Sequence, residues 1–226
     1  MSLIHQTYPG PPPPLEPGDV HVWFAEFARC SPGVTDCLSA DEQVRAVGYK
    51  LPRVRDQFAT GRGVLRSILS GYLRTPPEAI VLIADADGKP RLSPPFREAV
   101  HFNVSHSAGM GLFAVSNRPV GVDLEPIRIV ENASGLVERF FAAEERASYA
   151  ALPESDRKAG FLRGWTCKEA LLKAVGSGMR RMEECAVEMD PGKPPRVIRL
   201  DGAGADVWAI ETWTPFAGFV AAVAYQ

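Results

Sequence analysis

Gly121-Val122-Asp123-Leu124-Glu125 and, further on, Trp165-Thr166-Cys167-Lys168-Glu169-Ala170-Leu171-Leu172-Lys173 are the stretches that decide how this chain is read. The first alternates like a strand, where successive side chains leave opposite faces, so Asp123 and Glu125 project from the same side. The second has no breaker and reads as a helix interior. It adds a carboxylate, Glu169, and two ammonium groups, Lys168 and Lys173. At about 100° per residue, Phe161, Trp165, Leu172 and Val175 form one apolar stripe, with Leu162 at its edge. Lys168 falls inside that stripe and Glu169 near its margin. A charge on an apolar face costs several kcal/mol unless it meets a partner, which points to a ligand. The plainer reading is an i,i+4 pair of Glu169 with Lys173 on a solvated face, worth only about 0.2–0.5 kcal/mol. Three carboxylates able to converge near two lysines suit a hard divalent cation held against a phosphate ester. Mg2+ takes oxygen ligands and is usually anchored by few carboxylates together with substrate phosphates.

Upstream of the first stretch, Pro9–Gly18 (PGPPPPLEPG) cannot enter helix or sheet ladders and is expected to form an extended polyproline arm, residues 1–18, ahead of the fold. A strand is expected from about Val20 to Phe27. Ser39-Ala40-Asp41-Glu42 is a capping-box pattern that opens a helix. A longer helix runs from Pro52 to about Arg74, with Phe58, Leu65, Ile68, Leu69 and Tyr72 on its apolar face, and Pro76 and Pro77 stop it. Ile80–Ala84 reads as a buried strand and Asp85–Pro90 as a turn, with Gly88 suited to positive φ. Phe102–Val104 and Gly111–Val115 read as strands joined by a Ser/His/Gly-rich turn.

Residues 118–226 repeat this grammar loosely. A strand at Val120–Glu125 precedes helices near Leu136–Phe141 and Glu144–Leu152 and a long helix from about Asp156 to Val175. Strands follow near Ala186–Met189, Arg196–Leu200, Val207–Trp213 and Phe219–Tyr225. Antiparallel runs with helices grouped beside them argue an α+β fold rather than a doubly wound sheet. Residues 19–117 and 118–226 are thus expected to form two similar halves, each a small mostly antiparallel sheet with a long helix, related by a pseudo-twofold. No sequence identity links them, and no Gly-rich nucleotide loop is present.

The composition is that of an ordinary globular chain, 226 residues with 46% hydrophobic and 23% charged, and no apolar run reaches the roughly 20 residues of a membrane span. No basic segment followed by an apolar stretch marks a secretory signal. Cys30, Cys37, Cys167 and Cys185 lack CxxC spacing and nearby histidines, so they are expected to be reduced thiols in a cytoplasmic protein. Cys30 and Cys37 are close enough in sequence to pair if oxidised. The net charge of −2 hides a basic stretch, Arg45 to Arg74, containing Lys50, Arg53, Arg55, Arg62 and Arg66 against the single acid Asp56. Without an overall basic excess, a small polyanion such as a nucleotide with several phosphates fits it better than nucleic acid.

With these residues in view, the chain resembles a 4′-phosphopantetheinyl transferase of the Sfp type. The resemblance rests on five motifs in the family's order. They are GKP at Gly88–Pro90, FNVSHS at Phe102–Ser107, GVDLE at Gly121–Glu125, RFF at Arg139–Phe141 and WTCKEALLKAVGSG at Trp165–Gly178. It implies transfer of the phosphopantetheine arm of coenzyme A to a serine of an apo acyl or peptidyl carrier protein, with release of 3′,5′-adenosine bisphosphate. The active site is expected between the halves, and a monomer is expected because two similar halves could supply both sides of it within one chain; charge and hydropathy argue against a nucleic-acid or membrane partner. The resemblance makes Asp123, Glu125 and Glu169 the Mg2+ ligands, with Mn2+ as a substitute. Glu169 also resembles the family's candidate general base for the serine hydroxyl, acting directly or through a metal-bound water. Lys173 would meet the transferred phosphate, and Lys168 would orient Glu169 or touch the same phosphates. Ser105, His106, Lys89, Arg53 and Arg62 would contact coenzyme A, with Arg45 and Arg55 as competitors because the alignment before Phe58 is ambiguous. Asp123 belongs to that coenzyme A site as well. Ser105 and His106 make a poor nucleophile–base pair, because neighbours on an extended chain face opposite ways. Ile127–Leu136 lies near where the carrier would dock by the same resemblance. Trp165, Phe140 and Phe141 read as packing residues. A non-catalytic carrier-binding or coenzyme A-binding module, and a metal-dependent phosphodiesterase, remain as alternatives.

Overall fold

Val20-His21-Val22-Trp23-Phe24-Ala25-Glu26 alternates as a strand should and forms β2. The computed structural model describes residues 2–85, 89–98, 100–202 and 204–226. In it β2 is an inner strand of a sheet ordered β1-β2-β6-β5, with β1 at Leu3–Thr7, β5 at His101–Ser107 and β6 at Met110–Ser116. The β1–β2 pairing is parallel and the others are antiparallel. Trp23, Phe113 and Val115 of this sheet share a core with Val64, Leu65, Ile68 and Leu69 of the 22-residue helix α2, Pro52–Leu73. Proline suits the first turn of α2, where its missing N–H is no loss. Arg74 ends the helix in the left-handed conformation. The shorter α1, Ala40–Val47, opens on the Ser39–Glu42 capping box that its sequence announces.

Two expectations for this half are corrected. The Pro-rich segment is not an arm ahead of the fold. Residues 3–7 before it form an edge strand, Tyr8 and Leu15 pack on the core, and a Cβ on Gly71 would come within 2.5 Å of the Pro12 ring. Proline cannot join a ladder, but its ring still offers apolar surface, and Gly71 leaves room for it. Nor is Ile80–Ala84 a buried strand. The strand β3 covers only Leu82–Ala84, paired with β4 at Pro90–Leu92, and Ile83 is exposed, while Ile80 is buried just before it. Residues 86–88 of the expected turn, including Gly88, lie outside the described residues.

The chain divides into two compact units, 1–117 and 118–226. In the second, β7 (Val120–Pro126) pairs antiparallel with β11 (Phe219–Tyr225), which pairs antiparallel with β10 (Ala209–Trp213). The 22-residue helix α5, Glu154–Val175, packs on this sheet. It also meets α3 (Ala133–Phe140), α4 (Ala143–Ala151) and β8 (Cys185–Val187), whose partner is β9 at Val197–Leu200. Covered by so many elements, α5 buries residues 160–164, 166–168 and 170–172 rather than the single stripe expected, and Trp165 and Val175 are only half-buried. The protein is therefore α+β, each unit setting a long helix on a small sheet that is mostly antiparallel. Among the described residues no helix is long and apolar enough to cross a membrane.

Candidate active site

Gly121, Asp123 and Glu125 share one face of β7, and α5 lies against that face. A Cβ on Gly121 would come 2.1 Å from the Ala170 carbonyl oxygen and 2.4 Å from the Ala174 nitrogen. Its absence lets the helix ride close on the strand and carries Glu169 and Lys173 to the carboxylates. Lys173 Nζ donates to Asp123 Oδ1 at 2.6 Å and lies 3.7 Å from Glu169 Oε2.

The electrostatics follow from crowding. Burial, then the Asp123 and Glu169 charges, push the Glu125 carboxyl up to about 7, against the pull of Lys173 and Arg128. Burial also raises Glu169, with Lys173 opposing and Asp123 adding to the rise. Burial works against the Lys173 ammonium, but Asp123 and Glu169 outweigh it and hold its pKa above the ordinary value. Three carboxylates against one ammonium leave an excess of hard oxygen donors, the chemistry a divalent cation takes. Among the described residues no three such side chains are yet gathered to hold a metal ion. In this arrangement Lys173 pairs with Asp123 and Glu169.

Lys168 does not join them, which corrects the expectation that it orients Glu169 or touches phosphate. Its side chain is 0% exposed and donates to Glu145 Oε2 and to the Cys185 carbonyl, with the Phe141 ring 5.2 Å away. The partner that its place on an apolar stripe demands is thus a second buried side chain, not a ligand. Glu145 also accepts from the backbone N–H groups of Ala142 and Val187, so it ties α4, α5 and β8 together. Its place at the third residue of α4 lets its carboxylate reach back to the Ala142 N–H, half of a capping box that Ala142, with no side-chain oxygen, does not complete. Nothing in a separation of 23 residues announces its pairing with Lys168.

The other candidates belong to the first unit. Arg53 is exposed in the first turn of α2. Arg62 lies 3.3 Å from Glu42 Oε1, its guanidinium 5.5 Å from the Phe58 ring centroid. Its competitor Arg45 sits 5.2 Å from the same ring, and Arg55 pairs with Asp56 at 3.0 Å. Glu42, which the sequence offered only as a helix cap, also holds Arg66 at 2.7 Å. Lys89 donates its backbone N–H to Asp85 Oδ1 at 2.9 Å. On β5, Ser105 is buried and His106 exposed, the opposite facing that an extended chain requires.

The family model described as the 4′-phosphopantetheinyl transferase superfamily matches residues 119–224, which hold all of the carboxylate cluster. The 4′-phosphopantetheinyl transferase HetI of Nostoc sp. is 36% identical over 228 residues, covering 98% of this chain and 94% of the relative. Psf-1 of Bacillus pumilus, named likewise, is 36% identical over 121 residues, covering 53% of this chain and 49% of its own. Sfp of Bacillus subtilis is 28% identical over 154 residues, covering 63% and 67%. Similarity of that degree along nearly the whole of two chains makes this protein a member of the 4′-phosphopantetheinyl transferase family of enzymes.

Proposed function

We propose that the protein transfers the 4′-phosphopantetheine group of coenzyme A to a serine of an apo acyl or peptidyl carrier protein, leaving 3′,5′-adenosine bisphosphate, with Mg2+ as cofactor. The observation that carries the reading is the cluster of Asp123, Glu125, Glu169 and Lys173 at the seam of β7 and α5. Asp123, Glu125 and Glu169 would hold the ion, once Asp123 exchanges its bond to Lys173 for the metal. When bound, Mg2+ neutralises charge on the pyrophosphate and its leaving group. Lys173, freed from Asp123, donates to a phosphate oxygen and binds the transferred group. Glu169 takes the proton from the serine hydroxyl as that oxygen attacks phosphorus. The bond to the bisphosphate oxygen breaks in the same displacement. Arg53, Lys89, Ser105 and His106 remain the proposed coenzyme A contacts of the first unit. Arg62, held by Glu42, would contribute only by exchanging that partner.

The test is intact-protein mass spectrometry of apo carrier proteins incubated with the enzyme, coenzyme A and Mg2+. The expected result is a gain of one phosphopantetheine that is lost with EDTA. It should fall at least about a hundredfold in Asp123→Ala and Glu169→Gln, on the scale of losing a positioned acid–base group, while both variants stay folded by circular dichroism. Free phosphopantetheine without carrier modification would indicate a phosphodiesterase, and coenzyme A binding without chemistry a binding module. Full activity of either variant at saturating Mg2+ removes the metal assignment.

A further inference from the structure

Away from that cluster, the first turns of α5 and the end of β10 border an open-sided cavity of about 420 Å³ in the second unit, with Ile127, Pro191 and Val220 completing its walls, within the size range of small-molecule sites. Its walls are mixed in a directed way. Leu162, Val220 and Trp213 give an apolar and aromatic surface, and Lys158 and Arg163 give two cations, while no acid lines it among the described residues. Arg163 is only 8% exposed, yet it lines the cavity. Its Nη2 donates to the Lys193 carbonyl at 2.6 Å, and its buried Nε has no hydrogen-bond partner among the described residues. Asp190, whose carboxylate feels the Arg163 charge, is taken up by Lys193 at 3.3 Å and by the N–H of Gly192 at 2.9 Å. A buried guanidinium keeps its charge and needs an acceptor for each N–H, and a planar carboxylate matches its fork.

We propose that this cavity binds a small amphiphilic carboxylate, its headgroup on Arg163 and Lys158 and its apolar body against Leu162, Val220 and Trp213. The site is distinct from the carboxylate cluster, though both lie along α5. Leu162 and Glu169 are seven residues, two helical turns and about 10 Å, apart on one face. The proposal assigns the cavity no step of the transfer reaction above, and its test needs neither coenzyme A nor a carrier, so the two readings fail separately.

Calorimetric titration of the full chain with octanoate, octanol and octyl phosphate tests it. Saturable one-to-one octanoate binding is expected, about tenfold tighter than octanol, the scale of one charge-assisted hydrogen bond. Ala159→Trp, on the exposed rim, should fill the cavity and abolish binding with circular dichroism unchanged, and Arg163→Gln should weaken octanoate but not octanol. Octanol binding as tightly as octanoate, unaltered octanoate binding in Ala159→Trp, or no saturable binding would each overturn the proposal. Tighter binding of octyl phosphate would overturn the carboxylate headgroup.

Discussion

Lys168 is adjacent to Glu169 in sequence and has a different physical task. A fully buried ammonium survives only because Glu145 and the Cys185 carbonyl surround it, and removing one partner of such a pair costs about 3–5 kcal/mol. Lys168→Ala should therefore lower the urea midpoint steeply. Activity per folded molecule should hold in the cold, unlike that of Glu169→Gln. Glu145→Gln with Lys168→Met should recover part of the loss, and equal activity loss in folded Lys168→Ala would return Lys168 to the chemistry. His21 makes a pH prediction of the same kind. It is buried, its Nδ1 is 2.7 Å from the Tyr72 hydroxyl, which also accepts from Trp23 Nε1 at 2.9 Å, and burial lowers its pKa against the pull of Asp19. The unfolded chain then binds the proton more readily than the folded one. The His21 contribution is complete above about pH 6.5, the unperturbed value, and declines as pH falls toward the folded pKa. Unfolding free energies at pH 8 and pH 5.5 should differ less in His21→Gln than in the parent. An undiminished difference would assign the acid sensitivity elsewhere.

The contact of β7 with α5 is what converts separated residues into a site, and Gly121 sets its distance. An alanine there would drive its Cβ to 2.1 Å from the Ala170 oxygen, so helix and strand must part, moving Glu169 and Lys173 from Asp123. Gly121→Ala should cost about 1–3 kcal/mol, as overpacking does, and lose activity beyond its loss of folded protein. Normal turnover by the folded fraction would show that the seam tolerates a wider spacing. Period-two alternation made the shared face of Asp123 and Glu125 legible, and the helix pattern did the same for Glu169 and Lys173. The reach of α5 was less so, because a helix covered by a sheet and by two other helices lacks the solvated face on which a stripe reading depends. The Lys168–Glu145 pair was invisible for a related reason: periodicity reports which face a residue takes, and only tertiary packing says what waits there.

In the whole molecule, each unit carries its own core, one around Trp23, Phe113 and α2 and others around α5. The first unit is completed by the segment that composition read as an appendage. β1 supplies a parallel edge to β2, the Tyr8 N–H donates to the Phe24 carbonyl at 2.7 Å, and Tyr8 and Leu15 add apolar cover to the core. Such side chains contribute about 1.5–3 kcal/mol each when fully buried. These two are half-buried, so removing residues 1–18 should cost about 2 kcal/mol or more once the lost strand pairing is included. Native-state hydrogen exchange locates that cost. The β2 amides should lose protection in the shortened chain, whereas those of β7 and β11 should keep theirs because their ladder lies within the second unit. Undiminished β2 protection would mean that β2, α2 and β6 hold the first unit together unaided. Loss across β7 and β11 as well would mean that the two units unfold as one.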